Sequence, residues 1–154
     1  LSNERFENAV AQELWPWLSR RYPISRDPDD VVFGGSSAGG VAAAGILLRY
    51  PEIGNNLLSQ SGGFWVCRAD AYATGKQDES LIDRWHDSGR VLRRAYLEIG
   101  RYERSHFADP IESNRRFRDV LNDTGCSVTY SEYAGGHDFF YWAGSIADGL
   151  RAVL

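Results

Sequence analysis

The sequence predicts an α/β fold, a mainly parallel sheet flanked by helices in three α/β/α layers, and two observations carry that prediction. Short apolar runs of strand length end in glycine at three places, "VVFGG", "NLLSQSGG" and "AYLEIG". Segments of helical spacing or composition lie between and around these runs, giving the alternation in which each parallel strand is followed by a crossover helix.

Taken in order, residues 5 to 18 place Phe6, Val10, Leu14, Trp17 and Leu18 at helical spacing, which predicts an amphipathic helix ending before "RRYPIS". "SRDPDD" is turn chemistry, because Pro28 fixes φ and the aspartates can bond nearby backbone. Val31, Val32 and Phe33 form an unbroken apolar run, the pattern of a strand covered on both faces. Val41 to Tyr50, rich in Ala and Leu and stopped by Pro51, reads as a helix. The next two apolar runs read as strands, and "CSVTYSEY" alternates as a half-buried strand does. Ile111 to Thr124 reads as a helix with Gly125 as its C-terminal cap, and residues 141 to 154 as the last helix. Residues 67 to 94 are polar without clean periodicity and read as an insertion over the sheet.

A length of 154 residues suits a single domain spanning 1–154, and 43% hydrophobic with 25% charged residues is ordinary globular composition. A formal charge of −4 with no basic stretch argues against nucleic acid. No run approaches the ~18 apolar residues of a membrane span, and the N-terminus lacks the regions of a signal peptide, so no membrane partner is expected and the expected compartment is the cytoplasm. Cys67 and Cys126 stand in neither metal-ligand nor redox spacing. No cofactor and no metal are expected. The chain contains no methionine, which points to a trimmed piece of a longer protein.

Gly35-Ser36-Ser37-Ala38-Gly39 fits G-x-S-x-G and falls where the strand pattern becomes a helix pattern, as that nucleophile elbow requires. The serine must stand on a strained, tight turn, so the residues two before and two after it are expected to have no room for a side chain. Ser37 is therefore the candidate nucleophile, and Ser36 should point elsewhere. A phosphate-binding glycine turn is the competing reading, but neither G-x-G-x-x-G spacing nor a P-loop lysine is present.

A serine hydroxyl needs a base within hydrogen-bond reach. Of the three histidines, His86 lies in the polar insert and His106 follows the third strand too closely. His137, in "YAGGHDFFYW" past the last strand, occupies the place of the base in the α/β-hydrolase order of serine, acid, histidine. The acid should follow the strand ending at Gly100. Glu103 is preferred, Asp109 is the reserve on the same loop, and Glu98 is held inside the strand. The oxyanion hole takes the N–H of Ala38 and a second donor from a loop after an earlier strand. These residues contain no such strand, and Val31 to Phe33 would otherwise be a bare apolar edge. The chain is thus expected to be the C-terminal part of a hydrolase, completed by upstream residues and incompetent alone.

"GGSSAGGVAAAGILLRYPEIGNNLLSQSGGFW" and "GGHDFFYWAGSIADGL" closely resemble the elbow and histidine segments of the enterochelin (ferric enterobactin) esterases, within the broader esterase group of α/β-hydrolases. "FENAVAQELWPWLSRRY" resembles that family's helix ahead of the elbow, so the likeness covers most of the chain except 67 to 94. It implies the C-terminal portion of an α/β-hydrolase fold, with Ser37 as nucleophile, His137 as base and Glu103, in "GRYE", as acid. The longer following loop, "RSHFADP", keeps Asp109 in play. It further implies a β-rich domain and the first half of the sheet ahead of this segment, and hydrolysis of a cyclic trilactone siderophore with release of iron. Arg68, Arg101 and Arg104 are candidates to meet an acidic iron-catecholate, or are solvated surface. Trp65 and Trp142 are pocket-mouth or core residues.

The function expected is that of a serine esterase working through an acyl-enzyme on a small-molecule ester, in its most specific form a ferric siderophore. A generic aryl or feruloyl carboxylesterase is the nearer alternative. A non-catalytic scaffold of the same shape is the further one, and it predicts a broken triad.

Overall fold

The computed structural model describes residues 3–66, 76–106 and 108–154. Helix α1 (Glu4–Ala9) passes through a π turn at Val10–Leu14 into α2 (Trp15–Arg21). The interruption of the expected continuous helix has a cause in Pro16, which has no N–H for the Gln12 carbonyl and whose ring crowds it. The turn widens instead, and Trp15 N–H reaches back to Val10 O. Burial also departs from expectation. Phe6, Leu14 and Trp17 of the apolar stripe are 45–53% exposed, while the segment buries Glu7 and Ala11 against α3.

Strand β1 (Val32–Ser36) continues through both glycines to the elbow, and α3 (Ala38–Arg49) begins three residues earlier than the composition suggests. β2 (Asn56–Gln60) follows. The insert, expected to lack periodicity, contains an amphipathic helix α4 (Ser80–Ser88) that buries Leu81, Ile82 and Trp85 and stops at the left-handed Gly89. Cys67 and Arg68 lie outside the described residues. β3 (Arg94–Gly100), α5 (Pro110–Asp123), β4 (Ser127–Tyr133) and α6 (Phe139–Val153) complete the order.

The four strands lie in the order β1-β2-β3-β4, all parallel, with Ser36 level with Gln60 and Gln60 level with Glu98. Successive strand residues face opposite sides. Leu57, Ala95 and Leu97 join Val41, Leu47, Trp85 and Phe117 of α3, α4 and α5 in the main core. Phe64 and Phe117 pack with ring centroids 4.2 Å apart, a pairing worth about 0.5–1.5 kcal/mol beyond area burial. On the other face Leu58 and Tyr96 pack against Val153 of α6. This is the expected three-layer α/β/α arrangement. Burial also pushes the Cys126 thiol up to about 12, so it is an inert core residue.

β1 is an edge strand among the described residues, and apolar grooves flank it on both faces. One, of about 260 Å³, is lined by Val32, Leu58, Ile146 and Leu150. Another, of about 220 Å³, is lined by Phe6, Val10, Phe33 and Ile46. No helix among the described residues is long and apolar enough to cross a membrane.

Candidate active site

Ser37 stands between β1 and α3 with φ 56° and ψ −118°, a backbone state that costs a non-glycine residue about 1–3 kcal/mol. Hydrogen bonds hold it there. Its N–H donates to Gln60 O at 2.8 Å, and its carbonyl accepts from Gly40 and Gly63 N–H at 3.2 Å each. Gly35 is required by space, since a Cβ there would lie 2.7 Å from the Gly39 carbonyl carbon. Gly39 itself has open space around a Cβ, contrary to the symmetrical expectation from the motif. The second crowded glycine is Gly40, whose Cβ would strike Ser59 Oγ. Ser36 points away as expected, and its hydroxyl donates to Gln60 Oε1 at 3.0 Å.

His137 arrives on the loop after β4. That loop lies against the end of β3, with Arg101 N–H donating to Tyr133 O at 2.9 Å and Tyr102 N–H to Gly135 O at 3.0 Å. Gly100 has no room for a Cβ because Gly135 O occupies its place. Asp138 caps α6 by accepting from Phe140 and Tyr141 N–H. The His137 ring rests edge-on against Trp142, with centroids 4.8 Å apart.

Glu103, three residues past the β3 glycine, is 4% exposed. Its Oε2 lies 2.7 Å from His137 Nδ1, and His137 Nε2 lies 2.9 Å from Ser37 Oγ. A carboxylate can only accept, so the imidazole presents Nδ1–H to Glu103 and a lone pair at Nε2 to the serine hydroxyl. Such a chain can draw a proton from Ser37 and hold the resulting imidazolium beside a buried carboxylate.

The other sequence candidates sit elsewhere. Asp109 caps α5, accepting from Ile111 and Glu112 N–H. Glu98 is buried on the α6 side, accepting from Tyr96 OH, Gln60 Nε2 and Ser145 Oγ. His86 and His106 are exposed. Arg104 donates to the carbonyls of Arg101 and Glu103 and braces the acid loop. Ala38 is the first residue of α3, where helical N–H groups have no internal partner. Trp142 is core, 6% exposed, and Trp65 is half-buried.

Ser61 and Tyr133, which the sequence did not single out, support the site together with Trp142, which it offered only as pocket mouth or core. Ser61 Oγ donates to Glu103 Oε1 at 2.6 Å, Trp142 Nε1–H donates to Ser61 Oγ at 3.0 Å, and the Tyr133 hydroxyl lies 3.1 Å from the same oxygen. Burial above all raises the Tyr133 phenol from its ordinary value, which keeps it a protonated donor. The available signal was "LSQSG", which ends a strand run, where polar residues among apolar ones need partners.

A family profile described as "Putative esterase" matches residues 2–153. The chain belongs to this esterase family. The match spans the elbow, the Glu103 loop and the His137 loop alike. Among relatives in the esterase family, the chain is 33% identical over 153 residues to the iron(III) enterobactin esterase of Dickeya dadantii, covering 95% of this chain and 34% of that one. It is 31% identical to the iron(III) enterobactin esterase of Escherichia coli K12, covering 96% of this chain and 36% of that one. The crystal structure of the Shigella flexneri enterobactin esterase in the presence of enterobactin superposes with a TM-score of 0.79 at 30% identity, over 97% of this chain and 36% of that one. The chain therefore spans about a third of the length of these relatives.

Proposed function

We propose that the chain carries the catalytic centre of a serine esterase that hydrolyses the ester bonds of a ferric catecholate trilactone siderophore of the enterobactin type. The observation that carries the proposal is the hydrogen-bonded series Ser37 Oγ, His137 Nε2, His137 Nδ1, Glu103 Oε2 on a strained strand-to-helix turn. The substrate class is taken from the relatives, whose names state enterobactin esterase activity.

In the first half-reaction Ser37 Oγ attacks the ester carbonyl carbon while its proton passes to His137 Nε2. Charge collects on the carbonyl oxygen, where the Ala38 N–H is the donor this chain offers. The C–O bond to the leaving alcohol breaks as His137 returns the proton to the alcohol oxygen, leaving an ester on Ser37. Water then attacks that ester with the same proton relay, releasing the acid and restoring the hydroxyl. Glu103 stays ionised throughout, fixing the tautomer and stabilising the imidazolium. Iron is cargo, held by the substrate. Opening the trilactone removes the ring that pre-organises the catechol arms, and cleavage of the remaining esters separates them, which weakens their hold on it.

We further propose that upstream residues of the same protein complete the sheet at β1, cover the exposed stripe of Phe6, Leu14 and Trp17, and supply the second oxyanion donor. The test is kcat/KM of the intact protein and its Ser37→Ala variant on an aryl ester and a ferric trilactone siderophore. Loss of about 10⁴-fold or more on both supports the serine mechanism. A wild-type preference for the siderophore supports the specific substrate, and a preference for the aryl ester replaces it with a generic carboxylesterase. Undiminished turnover in Ser37→Ala overturns the mechanism.

A further inference from the structure

We propose that Ser61 is a positioning residue for this chemistry, acting through Glu103; the inference rests on the esterase reading above. Glu103 is a long carboxylate with three side-chain torsions, and only one of its oxygens faces His137. Its other oxygen, Oε1, accepts from Gly100 N–H at 2.9 Å and from Ser61 Oγ at 2.6 Å. Two donors on Oε1 leave Oε2 as the oxygen available to His137, and turning the carboxylate would break buried hydrogen bonds.

Proton bookkeeping fixes the direction of the Ser61 bond. The indole of Trp142 can only donate, and it donates to Ser61 Oγ at 3.0 Å. The single Ser61 proton is therefore directed at the acceptor-only carboxylate. Tyr133 OH lies 3.0 Å from Gly136 O and 3.1 Å from Ser61 Oγ, so its own proton has an outlet that does not compete for Glu103. Trp142 also packs on the His137 ring, so one indole touches both the anchor of the acid and the base.

The backbone adds an independent observation. Ser61 is fully buried with φ 51°, in the left-handed region that a glycine occupies without strain. Its N–H is tied to Glu98 O at 2.7 Å, which sets where the side chain starts. Glycine would suit that conformation better, yet it has no side chain to donate to Glu103 as the Ser61 hydroxyl does.

The experiment is a double-mutant cycle in the intact protein on an activated aryl ester, using Ser61→Ala, Ser61→Gly, Glu103→Ala and Ser61→Ala/Glu103→Ala, with Ser37→Ala as the baseline. Ser61→Gly removes the hydroxyl while relieving the backbone, which offsets part of the cost of leaving Trp142 Nε1–H without its acceptor, and a denaturant midpoint for each variant checks that it is folded. Both Ser61 variants are expected to lower kcat about 10-fold with KM unchanged. Adding Ser61→Ala to Glu103→Ala is expected to cost less than about 2-fold, because the carboxylate to be held is gone. Equal losses in both backgrounds, or wild-type kcat in Ser61→Gly, overturn the proposal. If Glu103→Ala leaves no turnover above baseline, the low-field His137 Nδ1 proton resonance decides: displacement in Ser61→Gly supports positioning, and an unchanged resonance overturns it. Full activity in Ser37→Ala is a different outcome, since it removes the esterase reading itself.

Discussion

At the scale of single residues, Gly35 and Gly39 have the same place in the motif and opposite surroundings. A methyl at Gly35 runs into the backbone of α3, whereas one at Gly39 meets nothing within 4 Å. Gly35→Ala is expected to destabilise by about 1–3 kcal/mol through overpacking and to displace Ser37. Gly39→Ala sits in the first turn of a helix and is expected to change stability by less than about 1 kcal/mol, in the favourable direction. Denaturant midpoints of the two variants check both statements, and equal losses would mean that the elbow is held together differently. Motif and chain order select Ser37 and His137 in the sequence, and the structure brings the two within hydrogen-bond reach. Glu103 over Asp109 was not settled by spacing alone. A capping aspartate and a carboxylate that meets His137 look alike on one loop until Asp109 is seen bonded to the first turn of α5 and Glu103 to His137.

At the scale of elements, β2 and β3, buried almost throughout, read clearly as short apolar runs and β4 by its alternation, while β1, read as covered on both faces, is only half-buried because it is an edge strand among the described residues. The N-terminal helix reads less truly, because periodicity reports an apolar stripe and not what covers it. Here the stripe stays half-exposed while Glu7 turns inward to an ion pair with Arg49 at 2.9 Å. Helix α4 was hidden because three buried side chains among many polar ones make a short signal. On the opposite edge of the sheet, Arg115 of α5 grips Glu132 of β4 at 2.7 Å. The hydrogen bond from Arg115 holds the Glu132 carboxyl below the usual carboxylate range. A carboxyl lowered on folding stabilises above its unfolded pKa of about 4.3, and that contribution fades as the pH falls through the folded value. Because the Arg115 side chain is 43% exposed, Glu132→Gln is expected to cost no more than about 1 kcal/mol at neutral pH. Urea unfolding of wild type and variant at several pH values should show the gap closing below about pH 4. A gap that persists in acid would assign it to packing.

At the scale of the whole molecule, a sheet edge with apolar grooves on both faces is an unfinished surface by the rules soluble proteins follow. The proposal that upstream residues finish it predicts that the 154 residues alone turn over an aryl ester at least about 100-fold more slowly than the intact protein, with the second oxyanion donor missing. Comparable rates would show that the site is complete within this chain. At the centre of the molecule's chemistry, Ser37 is proposed as a nucleophile activated by His137. That activation is tested most directly by treating the intact protein with a fluorophosphonate and locating the adduct by peptide mass spectrometry. One stoichiometric adduct is expected on the peptide containing Ser37, formed at least about 100-fold more slowly in His137→Ala. No adduct, an adduct on another residue, or a rate indifferent to His137 would contradict it.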